Sequence, residues 1–171
     1  MDYVASRRLM IEQNGFALSK TFGSSMRPLI WGGQHCVAVV QLDGEPRVGD
    51  ILMFVQRQPD GSERNIVHRL VDIKENDLQR LYITRGDNCL GCEQVKRDEI
   101  IGLVAEVHRT SGFRPWHIIP RKQFSMTDPS YIIYSQIWAS TWPVRQFYYR
   151  LRAKVQAIRA RLTSIIKGKE R

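Results

Sequence analysis

The chain has 171 residues, 43% of them apolar, with 26 Lys and Arg residues against 17 Asp and Glu residues and a net charge of +9. This length and apolar fraction suit one folded domain with a hydrophobic core, and they exclude a fibrous or disordered chain. The charge is unevenly placed, since residues 1–120 carry 15 basic and 15 acidic side chains whereas residues 121–171 carry 11 basic and 2 acidic ones. The neutral first part argues against a nucleic-acid-binding body, because a phosphate backbone is bound through excess positive charge.

Targeting signals are not visible in the sequence. No uninterrupted apolar run approaches the roughly 18–20 residues that cross a bilayer, and 4 of the first 12 residues are charged where a secretory signal needs an apolar stretch. The three cysteines, Cys36, Cys89 and Cys92, are too few for a disulfide scaffold. We therefore expect a cytoplasmic protein.

The elements follow in chain order. Residues 2–13 predict a short helix that ends at Asn14-Gly15 and completes an N-terminal segment, 1–15. Between residues 16 and 109, β-rich runs alternate with Gly, Asn and Asp turn signals. These runs are 16–22, 36–42, 50–55, 65–73, 81–84 and 100–107. Short strands at this spacing predict a mainly β domain, an antiparallel barrel or coiled sheet.

The C-terminal third predicts a helical tail. Residues 110–130 contain Gly and several Pro residues and are interpreted as a connector, and residues 131–171 as the tail. From Pro143 onward, nine apolar residues of 144–166 fall within an arc of about 100° on a helical wheel, and Arg and Lys residues border both edges of that stripe. The helix is preceded by four aromatic residues that suit a lipid headgroup layer, Tyr131, Tyr134, Trp138 and Trp142.

Cationic side chains along an apolar stripe are typical of a helix at a membrane surface. We therefore expect an anionic membrane to be a partner of residues 131–171, which would make the protein peripheral on the inner face. The alternative is that the stripe packs on the β domain or on a second copy. Nucleic-acid binding by the tail is disfavoured, because it needs no continuous apolar stripe.

Four motifs in the β domain carry the candidate chemistry, and a short apolar strand follows them. The motifs are Gly-Ser-Ser-Met-Arg-Pro at 23–28, Val-Gly-Asp and apolar residues at 48–54, Ile-Val-His-Arg-Leu at 66–70, and Tyr-Ile-Thr-Arg-Gly-Asp-Asn at 82–88, followed by Ile-Ile-Gly at 100–102. In this order they resemble the type I signal peptidase superfamily of serine peptidases. They are most similar to its archaeal and endoplasmic-reticulum branch, in which the general base is a histidine.

The resemblance covers roughly residues 20–108 and implies a role for each matching position. Ser25 matches the nucleophile, His68 the general base and Asp87 the acidic partner of the histidine. Glu93 lies where that branch has a second acidic residue. The implied substrate is an extended peptide that adds a strand to the sheet beside Ser25.

The residue types fit this chemistry without the family. A serine hydroxyl becomes nucleophilic when a neighbouring histidine accepts its proton, and a carboxylate fixes the histidine tautomer. We expect backbone N–H groups around Ser25, with Ser24 as an alternative, to stabilise the oxyanion. Met26 is predicted to line an apolar substrate pocket, and Pro28 to keep the chain after the nucleophile extended. No cofactor or metal is implied.

The membrane-bound members of the superfamily carry a spanning helix before the nucleophile, whereas the 24 residues ahead of Ser25 contain no such segment. We therefore expect a peptidase that cleaves a leader or other precursor peptide in the cytosol or at the membrane surface. Kinship to the repressor autoproteases is a second interpretation, but these use a lysine base. A third is a catalytically silent module that holds a peptide in the same groove.

The two cysteines after the Gly-Asp-Asn motif allow a separate interpretation. Cys89 and Cys92 form a CxxC pair, which is half of a zinc site, and His35 with Cys36 could complete it. A redox pair or plain reduced thiols fit the spacing better. A disulfide between them would tighten the loop that holds Asp87.

Overall fold

The computed structural model of the protein describes residues 3–75, 79–109, 119 and 122–169. The elements begin with helix α1 and strands β1 to β7, and they end with strand β8 and helices α2 and α3. Their bounds are α1 Tyr3–Asn14, β1 Phe16–Lys20, β2 His35–Val40, β3 Ile51–Arg57, β4 Glu63–Glu75, β5 Arg80–Arg85, β6 Glu93–Val95, β7 Ile100–Arg109, β8 Gln123–Ser125, α2 Pro129–Ser140 and α3 Trp142–Lys169, with a 3-10 turn at Arg97–Glu99.

One antiparallel sheet contains all eight strands. Its order is β1-β2-β7-β3-β4-β5-β6, and β8 pairs with β7. The predicted mainly β, antiparallel architecture with an N-terminal helix and a helical C-terminal region is therefore confirmed. A closed barrel is not formed, because within the described residues β1 and β6 each pair on one side only.

The core lies around the middle strands. β3 has neighbours on both sides, β7 and β4, and its first four residues, 51–54, are all buried rather than alternating. This burial pattern is expected of a central strand covered on both faces. The packed side chains around it are Leu52, Phe54, Leu70, Tyr82, Val95 and Ile100. Each large apolar side chain buried here contributes about 1.5–3 kcal/mol of transfer free energy.

Strand β4 changes partners along its length. Glu63 to Arg69 pair with β3, whereas Arg69 to Glu75 pair with β5, and an irregularity in the register separates Leu70 from Asp72. In the described structure, the first half of β4 therefore has no strand on its β5 side. The hairpin before it is closed by the Gln58 N–H, which donates to the Ser62 carbonyl at 2.8 Å, and by Gly61 at φ +80°.

The helices differ in part from the predictions. α1 is capped as expected, because Gly15 takes φ +79° and its N–H donates to the Ile11 carbonyl at 2.8 Å. The predicted connector, 110–130, lies mostly outside the described residues, but β8 and the start of α2 fall within it. Two short compact units divide the chain at the middle of α2, residues 1–136 and residues 137–171. Among the described helices, none combines the length and the apolar character of a membrane span.

Candidate active site

The predicted nucleophile, Ser25, lies in the loop that joins β1 to β2. The ends of this loop are tied together, since the Thr21 hydroxyl donates to the His35 carbonyl at 2.7 Å and the Gly33 N–H donates to the Thr21 carbonyl at 2.8 Å. Gly32 is required because a Cβ there would stand 2.3 Å from the Gly23 carbonyl oxygen. The backbone at Gly23 is therefore in direct contact with the backbone at Gly32, and this contact fixes the base of the loop.

The segment after Ser25 is turned rather than extended. The Arg27 N–H donates to the Ser24 carbonyl at 3.2 Å, the Ile30 N–H donates to the Met26 carbonyl at 2.9 Å, and the peptide bond before Pro28 is cis. The extended conformation predicted for the segment after the nucleophile is therefore wrong. The turn has a local cause, because Met26 and Ile30 point inward and are buried. The sequence shows that these residues are apolar, but it does not show that they turn inward.

His68 lies near the end of the β3-paired half of β4 and is buried. Its Nδ1 atom donates to Oε2 of Glu93 at 2.9 Å, and the Thr84 hydroxyl donates to the same oxygen at 3.3 Å. The Phe54 ring packs edge-on against the imidazole, with 6.2 Å between the ring centroids. A carboxylate on Nδ1 keeps the proton there and leaves Nε2 as the acceptor, the tautomer that a general base needs.

Gly86 brings the Ser25 loop and His68 together. A Cβ at this position would stand 2.8 Å from the Ser25 carbonyl oxygen and 2.9 Å from Nε2 of His68. The Ser25 carbonyl oxygen and His68 Nε2 are therefore separated by no more than the sum of these two distances. The loop is held in place by Asn88, whose N–H donates to the Ser25 carbonyl at 2.7 Å and whose side chain donates to the Ser24 carbonyl at 3.2 Å.

Asp87, predicted as the acidic partner of His68, is engaged by Arg69 instead. Arg69 Nε and Nη2 donate to its two carboxylate oxygens, each at 2.8 Å, and the Tyr134 hydroxyl donates to Oδ2 at 3.1 Å. The two side chains of this buried ion pair are 4% and 2% exposed. Burial acts to lower the pKa of Arg69, but the hydrogen bonds and charge of Asp87 outweigh it and raise that pKa above its ordinary value.

Adjacent side chains on a strand point to opposite faces, so His68 and Arg69 reach different carboxylates. Glu93 comes to the histidine, and Asp87 comes to the arginine. The resemblance implied Asp87 as the acidic partner of His68, whereas in the structure the carboxylate that contacts His68 is that of Glu93.

Helix α2 completes the surroundings of Arg69. The Arg69 Nη1 atom donates to the Tyr131 hydroxyl and the Ser135 hydroxyl of this helix and to the Gly49 carbonyl, each at 2.9 Å. The Tyr131 hydroxyl also donates to the Gly49 carbonyl, at 3.0 Å. Burial raises the pKa of Tyr131, although the Arg69 charge acts against this rise. Tyr131 and Tyr134 were expected at a headgroup layer, but they are buried here, and this expectation is wrong for both.

A groove of about 650 Å³ leads to Ser25. Its lining includes residues 19–23, at the end of β1 and in the following loop, and residues 63–67 in the first half of β4. Its apolar lining includes Met26, Ile30 and Met53. The other two residues predicted for substrate or oxyanion contacts, Ser24 and Pro28, are not part of this lining.

The backbone around Ser25 offers hydrogen-bond donors. In the part of the chain that the structure describes, the N–H groups of Ser25 and Met26 donate to no acceptor, and the Ser25 hydroxyl forms no hydrogen bond. Two such N–H groups beside a nucleophile are the usual components of an oxyanion hole. A hydroxyl without a structural partner is able to rotate toward either a base or a substrate.

A thiol lies beside the base. The Cys89 sulfur is 3.0 Å from the same Gly86 Cβ position that lies 2.9 Å from His68 Nε2. Burial raises the pKa of Cys89, and the charges of Glu93 and Asp87 raise it further. Cys36, Cys89 and Cys92 are all free thiols. Within the described residues, no three His, Cys, Asp or Glu side chains are grouped so as to hold a metal ion.

Comparison with protein-family models, with curated proteins and with solved structures finds no match to this chain.

Proposed function

We propose that the protein is a serine endopeptidase of the signal-peptidase kind. Ser25 is the nucleophile, His68 is the general base, and Glu93 orients and stabilises the imidazole. The observation that carries the proposal is the joint approach of the Ser25 backbone and His68 Nε2 to Gly86, while the opposite nitrogen of the ring is held by a carboxylate. A histidine that is held by a carboxylate and lies beside the Ser25 backbone supports a role as the base that activates this serine.

The substrate is an extended peptide of a leader or other precursor. The end of β1 and the first half of β4 both line the groove, and in the described structure each is paired with a strand on one side only, so a peptide lying along either of them could gain main-chain hydrogen bonds. Its side chains meet Met26, Ile30 and Met53, which favours small or apolar residues next to the cleaved bond.

The reaction proceeds through an acyl-enzyme. Ser25 Oγ attacks the peptide carbonyl while His68 Nε2 accepts its proton, and the N–H groups of Ser25 and Met26 stabilise the oxyanion. The tetrahedral intermediate collapses by breaking the C–N bond, and the leaving amine receives the proton from His68. A water molecule then attacks the ester carbonyl and gives a proton to His68. The second tetrahedral intermediate collapses by breaking the bond between the acyl carbon and Ser25 Oγ, and His68 returns the proton to Oγ, which releases the acid product and restores the free enzyme. Glu93 stabilises the imidazolium at each step.

A fluorophosphonate probe tests the nucleophile and the base. We expect labelling of the wild-type protein, no labelling of Ser25→Ala, and loss of labelling in His68→Ala. Ser24→Ala is the matched control, because it changes the adjacent hydroxyl and leaves the backbone donors in place. Label on Ser24, or equal labelling of all four proteins, would refute the assignment.

A catalytically silent peptide-binding module is the second candidate. The absence of any hydrogen bond from the Ser25 hydroxyl, among the contacts of the described residues, favours it. Mass spectrometry of a peptide library separates the two functions. An endopeptidase produces cleaved peptides that Ser25→Ala does not produce, whereas a silent module retains intact peptides equally in both proteins.

A further inference from the structure

Helix α3 presents an exposed apolar stripe. Six large side chains lie on it between residues 144 and 158, and their exposed fractions range from 41% to 72%. They are Val144, Phe147, Tyr148, Leu151, Val155 and Ile158. At 100° per residue they fall on one face of the helix. A continuous stripe of this kind on an exposed helix indicates an interaction surface.

The edges of this stripe are cationic. Arg145 and Arg152 border one edge and Arg150 and Lys154 border the other, and the helix sequence from Trp142 to Lys169 contains no Asp or Glu. Alkyl stems of Arg and Lys can lie along an apolar boundary while their charges reach outward. The surface therefore combines an apolar stripe with positive charges that no acidic side chain of the same helix offsets.

Aromatic rings and an arginine mark the beginning of α3. The Arg145 guanidinium lies over the Trp138 ring, 3.8 Å from its centroid, and 5.3 Å from the centroid of Trp142. Such stacking is favourable without removing the charge. Tryptophan side chains are enriched at the level of lipid headgroups, where one part of the ring is apolar and the other is polar.

We infer that α3 lies flat on the surface of an anionic lipid bilayer, with the stripe in the headgroup and acyl boundary and the four cations among lipid phosphates. The charge pattern selects this occupant. In a pair of identical helices, the cationic edges of one copy would face those of the other with no acidic side chain to offset them. A bilayer with anionic lipids supplies both an apolar layer and negative charge.

Vesicle flotation of the full-length protein tests this inference. We expect binding to vesicles of phosphatidylcholine and phosphatidylglycerol in equal parts and little binding to phosphatidylcholine alone. Removing two cations with Arg150→Gln and Lys154→Gln should weaken binding roughly 30-fold, since each charge near the surface contributes about one kcal/mol. The double variant Phe147→Gln and Leu151→Gln should abolish binding, because it interrupts the stripe.

Ala153→Gln with Ala157→Gln is the matched control, because it introduces the same two side chains on the opposite face of α3. This control should bind like the wild type. Equal binding to neutral and anionic vesicles would overturn the inference, as would no binding by the wild type or equal binding by the Phe147/Leu151 and Ala153/Ala157 variants. A dimer in light scattering that dissociates in the Phe147 and Leu151 variant, without vesicle binding, would assign the stripe to a second copy.

The vesicle result is independent of the proposed peptidase activity. Ser25→Ala leaves α3 unchanged and should bind vesicles like the wild type. Failure of probe labelling with retained flotation would therefore refute the peptidase proposal alone.

Discussion

Replacing Glu93 by Gln removes a negative charge from the Nδ1 side of His68 and leaves the side chain almost the same size. In the wild type, the carboxylate accepts from Nδ1 at 2.9 Å, and in the proposed mechanism it stabilises the imidazolium that forms in the transition state. A hydrogen bond to a charged group contributes about 1.5–3 kcal/mol, which corresponds to a factor of roughly 10 to 100 in rate. The amide can also donate to Nδ1 and so favour the tautomer that cannot accept a proton at Nε2, which brings the expected loss to roughly 100-fold or more.

The same substitution should leave the folded state nearly as stable as before. The Glu93 side chain is 26% exposed, so the lost charge interaction is partly screened by solvent. We expect its Tm to fall by only a few degrees. The assay is the rate constant of fluorophosphonate labelling at Ser25, measured well below the Tm, together with thermal unfolding of the same samples.

Asp87→Asn is the matched carboxylate-to-amide change and should have the reverse profile. It leaves the Arg69 charge buried and without its counterion, which costs about 3–5 kcal/mol of the free energy of unfolding. For a chain of this length, each kcal/mol lowers the Tm by about 2–4 °C. If Glu93→Gln were labelled at the wild-type rate and a folded Asp87→Asn were not labelled, the orienting role would return to Asp87 and the reasoning would be refuted.

Three further outcomes are expected. Gly86→Ala places a Cβ within 2.9 Å of His68 Nε2 and of the Ser25 carbonyl oxygen, and it should slow probe labelling roughly 100-fold. Gly91→Ala is the control, because it has open space around it and should keep the wild-type rate. Equal labelling rates for the two variants would contradict this prediction. Alkylation of Cys89 by iodoacetamide should block labelling. Because burial raises the pKa of this thiol, alkylation should be slower near neutral pH than that of an ordinary thiol and should accelerate only in more alkaline solution. A Cys89→Ser protein that is blocked as readily would disprove the role of Cys89. Tyr134→Phe removes a hydrogen bond to the buried ion pair and should lower the free energy of unfolding in urea by about 1 kcal/mol, and no change would show that this bond is not stabilising.

The main strands were predictable because they consist of β-branched and apolar runs bounded by turn residues. Residues 36–42 and 100–107, for example, lie within one or two residues of β2 and β7. The two strands of three residues, β6 and β8, could not be predicted. Each is defined by three residue pairs with a partner strand rather than by a local pattern.

The site was predictable only as a set of residues. The Ser25 loop and His68 were expected together, and Gly86 explains how they meet. The sequence places Asp87 and Glu93 in one short stretch and His68 and Arg69 next to each other, so it does not tell which carboxylate reaches which base. That choice depends on the pleat of β4 and on the return of β6 beside β5, which are long-range features.

The burial of Tyr131 and Tyr134 was also beyond the sequence. A tyrosine beside tryptophans suits either a lipid interface or a buried polar network. The difference is made by Arg69, whose remaining donors require oxygen acceptors once the side chain is buried.

The adjacent positions of His68 and Arg69 also have a consequence for folding fidelity. If β4 slipped by one residue along β3, the guanidinium would turn toward the Ser25 loop and the imidazole toward Asp87. In the slipped hairpin the buried Asp87 carboxylate would lose the guanidinium that pairs with it, a state several kcal/mol less favourable than the native pairing. The adjacent positions of His68 and Arg69 therefore make the native register of β4 on β3 more stable than the register shifted by one residue.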